Sequence, residues 1–389
     1  MQIFPVIDKS DCALFLKVPL TIYKKNPQWI QPLNKDIEDV FNNKKNKSFR
    51  FGKAQRWILK DENGNLIGRI AAFHHKKYKN KGDELATGGI GFFECINNQE
   101  AADLLFDNAK HWLINEKFEI MDGPINFGER DRWWGLVTEG FHEPMYCMNY
   151  NPPYYKQLFE SYGFQEFYNQ ICMGMNPKKP LQPKIWERHD SLAIDKNYSA
   201  THLKKNDLDK YALDFAEVYN KAWAGHGGLK ELSNEQVLLM FNKMKPVMDE
   251  KIIWFAYYKN SPIAIFINLP DLNQWFKHLN GKFGLLQKLY FLWMKRFKKN
   301  TKFTGLVFGI VPEFQGIGVD AFLIAESAKI IQSDKIQYTS YEMQWIGDFN
   351  PKMLNIAQNL GEVFISRKLT TFRYIFDKTI PFKRHPILS

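Results

Sequence analysis

The chain of 389 residues carries 53 Lys+Arg against 42 Asp+Glu, a formal charge of +11 and a pI near 9.2. Hydrophobic residues make up 45% and aromatics 15%, enough for a sizeable core, which excludes disorder as the main state. Mean hydropathy is −0.41 and no apolar run approaches the ~18–20 residues that span a bilayer, which excludes a polytopic membrane protein.

The N-terminus has no charged n-region, long apolar stretch or small-residue cleavage site, so no signal peptide is expected and the expected compartment is the cytoplasm. Cys12, Cys95, Cys147 and Cys172 form no CxxC pair and are expected to be free thiols, with no metal site. The positive balance favours an anionic partner.

In chain order, helices are predicted over 10–26 and 35–41, then a hairpin of 56–60 and 66–73 around Glu62-Asn63-Gly64-Asn65. A strand over 88–96, a helix over 99–117 and a strand over 119–125 follow. A short helix then opens at Asn151-Pro152 and closes at Gly163. Residues 176–184 hold three prolines and three lysines, and mark a boundary. Beyond it the pattern returns. Helices over 206–223 and 233–245 precede a hairpin of 251–258 and 263–267 around Lys259-Asn260-Ser261-Pro262. A strand over 304–311, a helix over 319–333 and a strand over 337–346 lead to a helix opening at Asn350-Pro351 and closing at Gly361. The repeat predicts two units, 1–180 and 181–389, each a mixed, mainly antiparallel sheet flanked by helices, an α+β fold.

The sharpest local signal is the turn from Val311 to Ala321, where a buried strand passes through Gln315, Gly316, Ile317 and Gly318 into a helix at Val319. Uncapped N–H groups at a helix start, with the dipole behind them, bind phosphate oxygens, and glycine lets the backbone approach the anion. This segment resembles the acyl-CoA pyrophosphate loop of the GNAT (Gcn5-related N-acetyltransferase) superfamily, Gln/Arg-x-x-Gly-x-Gly/Ala, with Gln315 and Gly318 in place and Asp320 at the last position. The whole chain looks like a tandem GNAT protein. It is similar, more distantly, to ceramide synthase-type GNAT acyltransferases of bacteria, which acylate a sphingoid amine. In the first unit the corresponding turn, Asn97-Asn98-Gln99-Glu100, lacks glycine and is expected not to hold CoA.

The resemblance implies acetyl-CoA or a longer acyl-CoA (or an acyl carrier protein) as donor and an amine as acceptor. Backbone amides near Ile310 and Val311 would polarise the thioester carbonyl, and Asn350 would open the helix beside the pantetheine. Glu342, an acid on the adjoining strand, is the expected general base; Tyr374 or Tyr341 would protonate the leaving thiolate. The alternative is a catalytically silent GNAT-fold binding protein.

Two further stretches stand out. The run 123–155 gathers Asn126, Arg130, Asp131, Trp133 and Trp134, a mixture of bidentate donors and flat apolar walls expected to face the acceptor, with His226 closing from the other side. Between Leu272 and Pro312 there is no acidic residue. Within this insertion, 271–303, a helix over 285–302 would place Leu286, Leu289, Tyr290, Trp293 and Phe297 on one face and Lys288, Lys295, Lys299 and Lys302 on the other. Such an element lies at an anionic membrane surface, or docks on its own domain. Residues 275–302 therefore predict peripheral contact with the inner membrane; no nucleic-acid motif is present.

Overall fold

The computed structural model describes residues 1–76, 78–223 and 231–388. The first half comprises β1 (Gln2–Pro5), α1 (Lys9–Ile22), α2 (Asn34–Val40), β2 (Gly52–Lys60), β3 (Leu66–His75), β4 (Thr87–Cys95), α3 (Gln99–Asn115), β5 (Ile120–Gly123), β6 (Leu136–Glu139), α4 (Tyr155–Tyr162) and β7 (Gln165–Met175). The second opens with α5 (Pro183–Ala193), β8 (Tyr198–His202), α6 (Leu208–Trp223), α7 (Asn234–Met244), β9 (Ile253–Tyr258) and β10 (Ser261–Pro270). It continues with α8 (Asn273–Phe276), α9 (Leu285–Phe297), β11 (Lys302–Ile310), α10 (Val319–Ile331), β12 (Ser340–Met343), β13 (Ile346–Gly347), α11 (Pro351–Gln358) and β14 (Val363–Ile375).

Local chemistry sets most boundaries. Asp8 and Asp11 form a capping box at the start of α1, and Asn98 caps α3 by accepting from Ala101 N–H at 2.8 Å. Gly163 ends α4 in the left-handed region at φ +105°. The β9–β10 turn is tighter than the sequence suggested. Lys259 and Asn260 both take positive φ, the two-residue hairpin geometry, so Ser261 and Pro262 already belong to β10. The missing N–H of Pro262 falls where the β9–β10 register slips.

Three boundary expectations are corrected. Asn151 does not open a helix: α4 starts at Tyr155, and the Asn151 amide pairs instead with the backbone of Val137, at 2.7 and 3.0 Å. Gly361 does not close α11, which ends at Gln358; it bridges Leu181 instead. The proline-rich boundary runs into a helix that its composition hid, α5, with Pro183 in the first turn where its absent N–H costs nothing.

All strands belong to one twisted sheet with the order β1-β2-β3-β4-β5-β14-β7-β12-β11-β10-β9-β8; β6 adds to β14 and β13 to β7. The centre of this order interleaves the halves. The last strand of the chain, β14, lies between β5 and β7, and β7 in turn pairs with β12 through Tyr341↔Met175 and Glu342↔Gly174. Each half keeps its own apolar core: Leu105, Phe106 and Phe159 in the first, Phe255, Ile265 and Ala325 in the second.

Candidate active site

The second half opens a cleft at the centre of its sheet. β11 and β12 run parallel and pair from Lys302↔Ser340 to Gly305↔Met343. One more bond, Gln344 N–H to Gly305 C=O at 2.9 Å, closes the ladder. Beyond it β11 and β12 pair no further, while the chain after β12 stays on β7 through β13. Across β11, the register with β10 slips between Ile267 and Asn268, so Leu306 has no opposite residue. Val311 N–H is taken by Ile263 C=O at 2.9 Å. Ladder alternation therefore turns the Ile310 amide the other way, into the gap. Of the two amides the sequence nominated, Ile310 faces the cleft and Val311 serves the β10 ladder. Under α10 and α11 lies an apolar cavity of about 80 Å³, lined by Phe303 and Phe308 of β11, Tyr341 and Met343 of β12, and Ala328 and Ala357 of the helices.

The turn into α10 stands at the open end. Gln315 Nε2 donates to Ile310 C=O at 3.0 Å and so ties the turn to the end of β11. Gly316 and Gly318 take φ of +79° and +105°, which disfavour any side chain. A Cβ on Gly316 would meet nothing within 4 Å, so the backbone there is open to approach. No side chain caps α10, and the N–H groups of Gly316, Ile317, Gly318, Val319 and Asp320 meet no acceptor at hydrogen-bond geometry among the described residues. Ile317 is exposed and Val319 buried, so the turn is anchored from below and open above. Asp320 does not stand free: Arg188 Nη1 of α5 holds its Oδ2 at 3.2 Å. The backbone and Cβ of Arg188 also approach Gly318, so a cation flanks the turn and neutralises the acid within it. Arg188 escaped sequence reasoning because α5 packs on α10 only in three dimensions.

Glu342 is buried at the root of the cleft. Its carboxylate accepts from Lys302 Nζ, from Ser366 Oγ at 2.7 Å and from Arg367 Nε at 3.4 Å. Burial pushes the carboxyl up, but Lys302 and Arg367 outweigh it and hold the group below its ordinary range. A carboxylate so engaged is a poor proton acceptor. Tyr341 stacks on Phe303 at 4.5 Å and puts its hydroxyl over Gly305, whose Cβ would fall 2.2 Å from it. Burial raises its hydroxyl above the ordinary range. Tyr374 lies elsewhere, on the part of β14 that pairs with β5, packed between Tyr162 and Phe164 in the first half. Asn350 caps α11, accepting from Met353 N–H at 3.2 Å. Trp223, at the end of α6, covers Gly309 on the other face of β11, at a place where a Cβ would fall 2.0 Å from its ring.

The polar run of the first half divides. Asn126, Arg130 and Trp134 line a cavity of about 490 Å³ there, together with Tyr78, Phe349 and His385. Trp133 is core, packed 5.6 Å from Phe92, and Asp131 is at the surface. His226 lies outside the described residues.

Helix α9 differs from expectation at both ends of the argument. It ends at Phe297, so Lys302 belongs to β11 and pairs with Glu342 rather than lining the helix. It docks through Phe291 and Met294 onto Leu33, Trp275, Phe276 and Leu279. That leaves the apolar stripe outward: Leu285 and Leu286 are each 75% exposed, Phe297 67%, and Leu289, Leu292 and Trp293 about half. Among the described residues no helix is long and apolar enough to cross a membrane.

The architecture is that of the tandem GNAT fold. The tandem GNAT protein from the clavulanic acid biosynthesis pathway superposes with a TM-score of 0.53 at 10% identity, covering 97% of this chain and 98% of that one. A GCN5-related N-acetyltransferase from Sphaerobacter thermophilus gives 0.51 at 9% identity, with 98% of each chain covered. In sequence the chain is similar to a bacterial ceramide synthase of Caulobacter vibrioides, 22% identical over 366 residues, 93% of this chain and 94% of the relative. It is also similar to protein YghO of Escherichia coli, 24% identical over 366 residues, 91% and 90% of the two chains. No family model matches the chain.

Proposed function

We propose that the chain is an N-acyltransferase that moves an acyl group from acyl-CoA, or from an acyl carrier protein, to an amine. The observation that carries the reading is the row of unengaged amides from Gly316 to Asp320 beside the strands that part after Gly305. The amides and Arg188 receive the diphosphate, or the phosphopantetheine phosphate of a carrier protein. The pantetheine arm lies in the gap, and the Ile310 amide donates to the thioester carbonyl as negative charge develops on it. The amine nitrogen attacks the carbonyl carbon, the C–S bond breaks, and the proton lost from the nitrogen ends on the departing thiolate. The sequence similarity to a ceramide synthase supports a long-chain or lipid amine as acceptor. Calorimetric titration with acyl-CoA tests this: saturable binding that Gly318→Trp weakens about 100-fold is expected, and no binding to either protein sinks it.

The acceptor reading extends to location. The outward stripe of α9 is flanked by Lys282, Lys288, Arg296, Lys298 and Lys299, a basic amphipathic element suited to an anionic membrane surface. Sedimentation with vesicles containing anionic lipid should carry the protein down, and Leu286→Glu combined with Trp293→Glu should leave it in the supernatant. Equal sedimentation of the two proteins overturns the membrane role.

The engagement of Glu342 by two cations favours one second reading, a GNAT-fold protein that binds acyl-CoA without turning it over. Thiol release from acyl-CoA in the presence of a sphingoid amine separates the two.

A further inference from the structure

The larger cavity lies outside the donor cleft, where the turn after β5 and the loop between β3 and β4 meet the C-terminal segment. Lys79, Lys81 and Arg130 reach it, and among the described residues no carboxylate lines it. The acids behind its wall are committed. Asp83 and Asp122 each hold Arg373 at 2.7 Å, and Glu116 holds Lys53 at 2.8 Å. Arg130 is oriented but not neutralised. Its Nη2 donates to Asn80 Oδ1 at 3.2 Å, and its guanidinium stands 5.4 Å from the Trp134 ring and 5.5 Å from Tyr78. No acid pairs with it among the described residues.

We propose that this cavity binds a small organic anion, a carboxylate or a phosphate monoester, on an aromatic or apolar body. The three cations recognise the anionic group, with Arg130 held in place to meet two of its oxygens at once. Trp134, Tyr78 and Phe349 supply flat walls for the body. A ligand presenting only an ammonium group is disfavoured by the same three charges. The site is built from both halves of the chain, since Phe349 immediately precedes Asn350, the cap of α11. An occupant therefore touches the segment that leads from β12 into the helix over the apolar cavity. This inference stands apart from the transferase reading, because none of its residues belongs to the glycine turn.

Phenyl phosphate and benzoate are the probes, titrated calorimetrically into the full chain, with inorganic phosphate for comparison. Saturable binding of at least one aromatic probe is expected, tighter than that of inorganic phosphate. Which probe binds tells a phosphate site from a carboxylate site. Arg130→Ala should weaken binding at least tenfold, Arg130→Lys should recover part of the loss, and Gly318→Trp should leave it unchanged. Far-UV circular dichroism checks that the variants keep the fold. The proposal is overturned if neither aromatic probe saturates, if Arg130→Ala binds as the parent does, or if Gly318→Trp removes binding and so moves the probe to the other half.

Discussion

The two turns that lead from the sheet into α3 and α10 hold the same place in their halves and have opposite chemistry. In the first, Asn98 closes the helix with its own side chain, and Ile125 N–H donates to Ile90 C=O at 2.7 Å, which keeps the chain after β5 zipped to β4. A Cβ on Gly91 would fall 2.0 Å from the Ile125 carbonyl oxygen, so no gap exists there. In the second, the helix starts on Gly318 with its amides unengaged, and β11 and β12 separate. One scaffold thus carries a sealed version and an open version of the same site. The difference lies in whether the chain itself satisfies the first N–H groups of the helix.

The largest effect should come from the root of the open cleft. Glu342→Ala leaves Lys302 and Arg367 buried without their carboxylate and should cost about 3–5 kcal/mol in denaturant unfolding. The sign of the pH dependence follows from the same contacts. A carboxyl held below its unfolded value adds stability that is present above the unfolded pKa and is lost as pH falls through the folded one. Glu342→Gln should therefore flatten the fall in stability below about pH 4.5. An unchanged acid limb would show that other groups govern it.

Next in size is Gly318→Trp, which puts a bulky side chain at a left-handed residue in the turn, against Arg188. Acyl-CoA affinity should fall about 100-fold, roughly 2.7 kcal/mol, with the fold retained. Arg188→Ala should cost about tenfold, because it both removes a cation and frees the charge of Asp320 beside the anion. If that account is right, adding Asp320→Asn restores part of the loss; no recovery would assign Arg188 a packing role only. The smallest effect sharpens the contrast from the sealed side. Asn98→Ala should lower stability by about 1 kcal/mol and leave acyl-CoA affinity unchanged. A change in affinity would mean that the first half also takes the donor.

What was legible in the sequence was local. The periodicity of 99–117, the Gly318 turn and the Asn350 cap each depend on neighbours within a few positions, and each stands where the pattern put it. What was not legible depends on partners far along the chain. The Glu342 carboxylate looks free on paper because Lys302 lies 40 positions away and Arg367 lies on a strand that crosses from the far end. Arg188 pairs with Asp320 across 132 positions. Polarity told where α9 is amphipathic but not which side docks. Phe291 and Met294 take that role, and the broader apolar stripe is left to face outward.

The interleaving of β5, β14, β7 and β12 has a consequence for the molecule as a whole. A cut in the chain near residue 180 would leave one fragment holding a strand its partner needs and lacking one that it needs itself. Each piece would expose unsatisfied ladder edges at the heart of its sheet, so separately expressed pieces should aggregate, and co-expressed ones should find each other. The cleft between β11 and β12 would keep β7, the strand that flanks β12 on its other side, only in the reunited pair.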